Sequence, residues 1–395
     1  MKISNIRIDR KDGKAFLTVD VSCKFSSSTR LWFCVDEQYA SWLSDDVYDA
    51  FLVAAIWPAM CYHEDIEIDG PVSESLHFHV KSYLLKLIKD FRPEYRIPEL
   101  SVGGFKNAIK GNANIVATGF SGGIDSFATI YDRFEKESDP CRRINTLFFF
   151  NIGQNGNIHD PSTAIRAKAR YDFSNKFATE IGLPYVFVDS NMFEFYKAHW
   201  EYEAGPLCRA ATILAFQRAC CIYYIAASYH SLQIKDFHDF HTFDSFSDSF
   251  IYYWLSTDAT KIILDGAQYT RPEKTELIKD YPSIKKYLNV CVKTDEGYTD
   301  TKNCSCCHKC QRTLIVLDAL GITDEFSEVF DLPLYRRNAK KFIAYQQLSA
   351  AEDPFIKENL LFAARHGMRI PGYLEARITT ILPSLSDRIK KLFNK

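Results

Sequence analysis

The first 110 residues carry short runs in which apolar and polar positions alternate, the pattern of β-strands that bury one face. Strand-like runs extend from Ile3 to Ile8 and from Ala15 to Phe25, and the Asp12-Gly13 pair between them is typical of a hairpin turn. Further strands are predicted at Leu31 to Val35 and at Glu64 to Ile68. Helices, each opened by an Asp or Ser that can cap its first turn, are predicted over residues 36–43, 46–59 and 73–91. Residues 1–110 are therefore predicted to form a small α+β domain.

From residue 111 the pattern changes to short apolar strands that alternate with helices. Strands are predicted over 115–120, 146–152, 185–189, 222–227 and 262–264, and helices over 126–137, 162–181 and 206–221. The segment from Ser228 to Ser249 is predicted to be a long loop. This alternation predicts right-handed crossovers and a parallel sheet covered on both faces, whose ligands bind beyond the carboxyl ends of the strands. Residues 326–395 are predicted to form a helical tail with turns at Pro333, Pro354 and Pro371.

The composition limits the partners and the cellular location that we expect for the protein. Of its 395 residues, 48 are Lys or Arg and 50 are Asp or Glu, so the formal charge is −2 and a nucleic acid partner is not expected. No apolar run reaches the ~18 residues of a membrane span, and the N-terminal residues lack the apolar core of a secretory signal. A cytoplasmic location is therefore expected, where the 12 Cys are reduced thiols rather than disulfides.

The loop after the first strand of the alternating region reads Ser121-Gly122-Gly123-Ile124-Asp125-Ser126. Two glycines allow the backbone to approach an anion closely, and the following helix N-terminus offers aligned amide donors. Ser121 and Ser126 add hydroxyl donors. The loop has neither the lysine of a Walker A motif nor the Gly-x-Gly-x-x-Gly of a dinucleotide fold. The sequence therefore predicts a phosphate-binding loop of a different kind.

This loop resembles the SGGxDS signature of the PP-loop ATP pyrophosphatases, with matches at Ser121, Gly122, Gly123, Asp125 and Ser126. The resemblance implies a HUP-like fold, cleavage of ATP between its α and β phosphates, a Mg²⁺ ion at the pyrophosphate and transfer of AMP to an oxygen of the substrate. Downstream, Lys274-Thr275-Glu276 is similar to the family's Lys-x-Glu segment. The resemblance therefore implies that Lys274 contacts the pyrophosphate and that Asp125 and Lys274 are catalytic.

A cluster of five cysteines lies between residues 291 and 310. Two Cys-x-x-Cys steps share Cys307 and bring three thiolates onto one turn, and a tetrahedral zinc would take Cys291 as its fourth ligand. The predicted ligands are Cys291, Cys304, Cys307 and Cys310. Cys306 and His308 are alternative ligands, and a redox pair or an iron–sulfur cluster are alternative interpretations. Because four protein thiolates leave no open position, the predicted zinc is structural.

The cysteine cluster extends the resemblance to the 7-cyano-7-deazaguanine synthase (QueC) group and its relatives. Asn303 to Thr313 follows the Asn-Cys-Gly-x-Cys-x-x-Cys-x-Arg-Thr segment of that group, with Ser305 in place of the Gly. Phe150 to Gln154 is similar to its second-strand segment. Pro206 to Arg209 resembles the opening of its substrate-side helix, and Asp248 lies where relatives carry an acidic residue. The resemblance implies that Arg209 and Asp248 contact the substrate.

The expected architecture is α/β, with a PP-loop ATPase domain and its four-cysteine zinc segment over 111–325 between the N-terminal domain and the helical tail. The resemblance implies an ATP-dependent carbon–nitrogen ligase that adenylates a carboxylate, such as that of a 7-carboxy-7-deazaguanine-like base. The attacking nitrogen would come from ammonia or from a protein amine, as in QueC-like proteins of anti-phage defence islands. The N-terminal domain would then serve partner recognition or dimerisation. A tRNA thiolation enzyme and an inactive PP-loop scaffold are the alternatives.

Overall fold

The computed structural model describes residues 1–156, 159–196, 204–233, 243–291 and 303–381, without the side chains of residues 244–246. The chain forms two compact units. The first comprises Met1–Phe120, Asp132–Ala227 and Phe237–Asp265, and the second comprises Ser121–Tyr131, Ser228–Asp236 and Gly266–Lys395.

The first unit is built around a single sheet that has ten strands within the described residues. In chain order they are β1 Lys2–Lys11, β2 Lys14–Ser22, β3 Arg30–Asp36, β4 Ile66–Val72, β5 Leu100–Phe105, β6 Ile115–Gly119, β7 Thr146–Asn151, β8 Tyr185–Ser190, β9 Cys220–Ala226 and β10 Lys261–Asp265. Their order across the sheet is β10-β9-β6-β7-β8-β3-β2-β1-β4-β5. Six of the nine neighbouring pairs run parallel, so the predicted α/β class with a largely parallel sheet is confirmed.

The N-terminal strands continue the sheet of the alternating region. Strand β3 pairs antiparallel with β8, with Phe33 opposite Ser190 and Cys34 opposite Asp189. One hydrophobic cluster includes Phe33 and Trp57 together with Phe148. The division into units therefore differs from the predicted boundary between residues 110 and 111. The physical reason is that β3 satisfies the backbone groups of β8, which would otherwise present an unpaired edge.

The helices of the first unit cover the sheet. They are the 3-10 turn Glu37–Trp42 and the helices Asp49–Cys61, Glu74–His79, Val80–Leu84, Leu85–Phe91, Pro161–Glu180, Phe193–Tyr196, Gly205–Leu214 and Phe243–Trp254. Val80–Leu84 is a π-helical turn inside one continuous helix. Among the helices that are described, none is long and apolar enough to cross a membrane.

The second unit is helical. Its elements are Ile124–Ile130, which continues into the π-helical turn Tyr131–Glu135 at the unit boundary, then Ser231–Gln233, Arg271–Ile278, Ile284–Tyr287, His308–Ala319, Thr323–Phe326, Leu332–Ser349 and Pro354–Arg365, followed by a helix over residues 373–381. Pro333 and Pro354 lie in the first turns of their helices rather than in separate turns, because proline has no amide proton to leave unpaired there. The predicted helical C-terminal region is confirmed.

Three elements of the first unit have no counterpart among the predicted elements: strand β5, the short helix Phe193–Tyr196 and the helix Phe243–Trp254. Strand β5, which pairs with β4, was not predicted because Gly103 and Gly104 interrupt its alternation. The helix Phe243–Trp254 lies in a segment predicted as a long loop from Ser228 to Ser249. Serine and aspartate have low helix propensity, which hid the helical spacing of the buried residues Phe243, Ser247 and Ile251. Residues 234–242 of that predicted loop lie outside the described residues.

Candidate functional site

The glycine loop of the second unit has a backbone that requires glycine. Gly122 adopts φ +75°, in the left-handed region. A Cβ atom there would lie 3.1 Å from the carbonyl oxygen of Tyr287 and 3.3 Å from Cβ of Asn289. The backbone amide of Asn289 donates to the Gly122 carbonyl at 2.7 Å. The loop is therefore held tightly against the segment that leads to Cys291.

The hydroxyls of the two loop serines form hydrogen bonds with the backbone of Gly123. The amide of Gly123 donates to Oγ of Ser121 at 3.4 Å, and the hydroxyl of Ser126 donates to the Gly123 carbonyl at 2.9 Å. Gly123 is the N-cap of the helix Ile124–Ile130, and among the described residues no side chain caps its first turn. Backbone amides at the start of a helix can donate to an external acceptor, and the phosphate-binding loop stays a prediction from the sequence.

Asp125, in the first turn of this helix, is held between two cations. Nη2 of Arg271 lies 2.8 Å from its Oδ2, and Nζ of Lys274 lies 3.2 Å from its Oδ1. The Lys274 side chain is 1% exposed and that of Asp125 is 21% exposed. The structure thus brings the predicted Lys274 to the predicted loop, and it adds Arg271, which sequence analysis missed.

The helix Arg271–Ile278 explains why both cations reach one carboxylate. Its start is fixed by a capping box in which Thr270 and Glu273 exchange hydrogen bonds. Arg271 and Lys274 are three residues apart, so they share one face of the helix. Gly266, at φ +80°, leaves room for Lys274, because a Cβ there would lie 3.3 Å from Cε of the lysine. The capping box of Thr270 and Glu273 is a sequence signal that a helix begins at Arg271, which would have placed Arg271 on the same helix face as Lys274.

The charges around Asp125 set its ionisation. Burial alone would raise the pKa of the carboxyl, but the positive charges of Arg271 and Lys274 outweigh burial and hold that pKa below its usual value. In return, the Asp125 charge outweighs desolvation and raises the pKa of Arg271. Asp125 is therefore an anion at neutral pH, the form in which a carboxylate binds a divalent cation.

A third cation, which is buried, belongs to the helix His308–Ala319 of the same unit. Arg312 is 7% exposed, and its Nη1 lies 3.6 Å from Oδ2 of Asp353. Its guanidinium also lies over the ring of Phe355, at 5.1 Å from the ring centroid. Arg312 follows Cys310, the last cysteine of the cluster, by two residues. Both residues therefore lie on the helix His308–Ala319.

The four predicted metal ligands converge in the second unit. The Sγ atoms of Cys291, Cys304, Cys307 and Cys310 all lie within 4.8 Å of one another. The Cys304–Cys310 and Cys307–Cys310 separations are 3.8 and 3.4 Å. A tetrahedron with Zn–S bonds of ~2.3 Å has sulfur separations of about 3.8 Å. The cluster has the donors and spacing to hold a metal ion such as zinc.

The cysteine turn is stabilised by the two residues around Cys304. The side-chain oxygen of Asn303 accepts the amides of Val290 and Cys291 at 2.8 and 3.0 Å. Ser305 replaces the glycine of the resembling segment and still adopts φ +57°. Its hydroxyl donates to the Asn303 carbonyl at 3.2 Å and accepts the amide of Asp331 at 2.8 Å, which stabilises a conformation that otherwise favours glycine.

The predicted substrate residues meet in the first unit. Nη2 of Arg209, on the helix Gly205–Leu214, lies 3.3 Å from Oδ1 of Asp248, on the helix Phe243–Trp254. The Tyr252 hydroxyl donates to the same carboxylate oxygen at 3.2 Å and accepts Nε of Arg209 at 3.0 Å. Tyr252 was missed because a tyrosine at helical spacing is typical of a core residue. The three side chains form one hydrogen-bonded group in which the charges of Arg209 and Asp248 are paired with each other.

Compared with known proteins, the chain matches no protein-family model, no curated protein and no solved structure.

Proposed function

We propose that this protein is an ATP-dependent ligase that activates a carboxylate by adenylation and releases pyrophosphate. The observation that carries the proposal is the pair of cations, half-buried Arg271 and buried Lys274, that converge on Asp125 at the start of a helix after a glycine loop. Charges removed from water are costly unless they are paired or used by a ligand. Two cations and one carboxylate at a helix N-terminus match a ligand that carries both phosphate and a divalent cation.

The first chemical step assigns a role to each of these groups. An oxygen of the substrate carboxylate attacks the α-phosphorus of ATP, and the bond from that phosphorus to the α,β-bridging oxygen breaks. Pyrophosphate leaves with increased negative charge, which Lys274 and Arg271 stabilise. The loop amides and the Ser121 and Ser126 hydroxyls bind the pyrophosphate oxygens. Mg²⁺, when bound, neutralises phosphate charge, and Asp125 is the carboxylate that would hold it.

The second step forms the carbon–nitrogen bond. A nitrogen nucleophile attacks the carboxyl carbon of the acyl adenylate and AMP departs, so an amide remains. The resemblance to the QueC group favours a 7-carboxy-7-deazaguanine-like base as the substrate, with Arg209 and Asp248 as its contacts. The nucleophile is either ammonia or the amine of a partner protein in an anti-phage system. With ammonia the product is an amide, and a second ATP that adenylates the amide oxygen would let that oxygen leave with AMP, while the nitrogen loses its protons, to give a nitrile.

The cysteines favour this reaction over thiolation of tRNA. A thiolation enzyme needs reactive thiolates, whereas four of the cysteines here converge in a cluster that could hold a metal ion. Burial raises the pKa of Cys34 to about 12 and also raises the pKa of Cys23 and Cys220. Those three thiols are therefore protonated and unreactive at neutral pH.

Exchange of labelled pyrophosphate into ATP tests the proposal. We expect exchange that depends on 7-carboxy-7-deazaguanine or a related carboxylate, together with AMP as the nucleotide product. Lys274→Met is expected to lower the exchange rate by at least about 100-fold, whereas Lys279→Met, just beyond the same helix, is the matched control. Release of ADP and phosphate would contradict the proposal. Binding of MgATP without exchange for any carboxylate would indicate the inactive scaffold instead.

A further inference from the structure

The helix Pro354–Arg365, in the C-terminal region, contributes an aromatic residue, Phe355, to the second unit. Asp353 caps this helix by accepting the amides of Phe355 and Ile356. The Phe355 ring lies beneath the Arg271 guanidinium, whose carbon is 4.3 Å from the ring centroid. The ring of Tyr229 stacks on Phe355 with a centroid separation of 5.2 Å. Phe355 is thus fixed by an aromatic neighbour while it contacts the cation that pairs with Asp125.

Glu358 lies one helical turn after Phe355 and contacts the same arginine through the backbone. Its Oε1 accepts the Arg271 amide at 3.3 Å, and its Oε2 accepts Nε2 of Gln233 at 2.6 Å. Because residues three apart share one helix face, Phe355 and Glu358 act on Arg271 together. Phe355 contacts the Arg271 guanidinium, and Glu358 accepts the Arg271 backbone amide.

These contacts leave the Arg271 side chain with one orientation. Its Nη2 donates to Asp125 at 2.8 Å and to the Ser228 carbonyl at 3.3 Å, while Phe355 covers the guanidinium plane. An arginine is a long side chain, so it loses much rotamer freedom when it binds a phosphate unless that freedom is already restricted. The Phe355 ring and the fixed backbone supply this restriction before a ligand binds.

We propose that the helix Pro354–Arg365 is part of the pyrophosphate-binding site, with Phe355 and Glu358 as positioning residues that hold Arg271 toward the glycine loop. This inference rests on the proposed function and deepens it. Arg271 is the second cationic phosphate ligand beside Lys274, and the C-terminal region is a component of the site rather than an appended tail.

The test uses the full-length protein and inorganic pyrophosphate with Mg²⁺ as the probe, with the dissociation constant measured by calorimetry. Phe355→Leu keeps an apolar side chain but removes the π face, so we expect roughly tenfold weaker binding. Phe355→Tyr restores an aromatic face and is expected to bind within about twofold of the unaltered protein. Phe362→Leu makes the same change elsewhere on the helix, where the ring stacks on His366, and is the matched control.

A double substitution separates positioning from general stability. If Phe355 acts through Arg271, then Phe355→Leu has no further effect on pyrophosphate binding in a protein that already carries Arg271→Met. An equal loss in both backgrounds, or no loss from Phe355→Leu alone, overturns the inference. Glu358→Ala is the second variant if Phe355→Leu does not fold, and its loss of binding must likewise vanish beside Arg271→Met.

The outcomes distinguish this inference from the proposed function. If the unaltered protein binds neither pyrophosphate nor MgATP, both fail. If it binds pyrophosphate and Lys274→Met weakens binding while Phe355→Leu and Glu358→Ala do not, the proposed function stands and only the role of the C-terminal helix is rejected.

Discussion

Asn303 accepts a hydrogen bond from the backbone amide of Cys291 at 3.0 Å, and this contact joins the isolated first cysteine to the turn that carries the other three. The Asn303 side chain also donates to the carbonyls of Leu288 and Val329 at 2.9 Å each. All of its hydrogen-bonding groups are thus used to hold backbone on both sides of the metal site.

The purified protein is expected to contain about one zinc per chain and to be colourless. Asn303→Ala should weaken zinc binding by about 10- to 100-fold, since the ligands stay but Cys291 is no longer held in place. Competition with a chromogenic chelator measures the affinity, and Asn338→Ala, which removes an amide from another helix of the same unit, is the control. A visible absorption band would instead indicate an iron–sulfur cluster.

Cys307→Ser is expected to abolish stoichiometric zinc and lower the yield of folded protein, because a structural zinc supplies on the order of 10 kcal/mol in small metal modules. Cys306→Ser makes the same change one residue earlier, outside the four converging thiolates, and should keep its zinc. Atomic absorption on both proteins measures the difference. Retention of zinc by Cys307→Ser but not by Cys306→Ser would show that Cys306, and not Cys307, is the metal ligand.

Removal of the Asp125 charge should destabilise the protein in a pH-dependent way. Asp125→Asn leaves Arg271 and Lys274 without their counterion, at a cost of roughly 3 kcal/mol at pH 7. The folded-state pKa of Asp125 is depressed, so its stabilisation is full above the unfolded value of ~3.9 and is lost as the pH falls through the folded value.

Urea unfolding at several pH values measures this effect as the difference between the two proteins, which cancels pH effects common to both. The difference should be constant from pH 7 to about 5 and should shrink below about pH 4. Asp280→Asn, an exposed aspartate beyond the same helix, is the control. A difference that grows as the pH falls would show that the folded-state pKa of Asp125 is raised.

Asp248→Asn should act on the carboxylate substrate and not on the nucleotide. The loss of a charged hydrogen-bonding partner of Arg209 is worth about 1.5–3 kcal/mol, so we expect the carboxylate-dependent exchange rate to fall by roughly 10- to 100-fold. Binding of pyrophosphate with Mg²⁺ should not change. The control is Asp258→Asn, at an exposed aspartate that follows the helix Phe243–Trp254 by four residues. Unaltered exchange by Asp248→Asn would remove this pair from the site.

Phe33→Ala should destabilise the protein by about 3–5 kcal/mol, because Phe33 is fully buried in the strand that joins the N-terminal residues to β8. Phe78→Ala, at a side chain that is 53% exposed, should cost no more than about 0.5 kcal/mol. Urea unfolding measures both. Equal small effects would mean that Phe33 is not part of a packed core.

Local patterns predicted most of the strands but not their partners. The runs at Ile3, Ala15 and Ile115 alternate or are continuously apolar, and each became a strand. The pairing of Phe33 with Ser190 depends on residues far apart in the chain, which no local pattern encodes. The same limit applies to the site. Lys274 was predicted through a motif, whereas Arg271 acquires its environment from Phe355 and Glu358, which lie more than 80 residues later.

The pairing of β3 with β8 also has a consequence for synthesis of the chain on the ribosome. Phe33 and Ser190 are 190 − 33 = 157 residues apart. At translation rates of about 5–20 residues per second, β8 emerges roughly 8–30 s after β3. During that interval the nascent chain presents one edge of β3, with its apolar Leu31, Phe33 and Val35, to the surrounding solution without its native neighbour. This strand is therefore the segment at which we expect chaperone capture and, at high expression, the onset of aggregation.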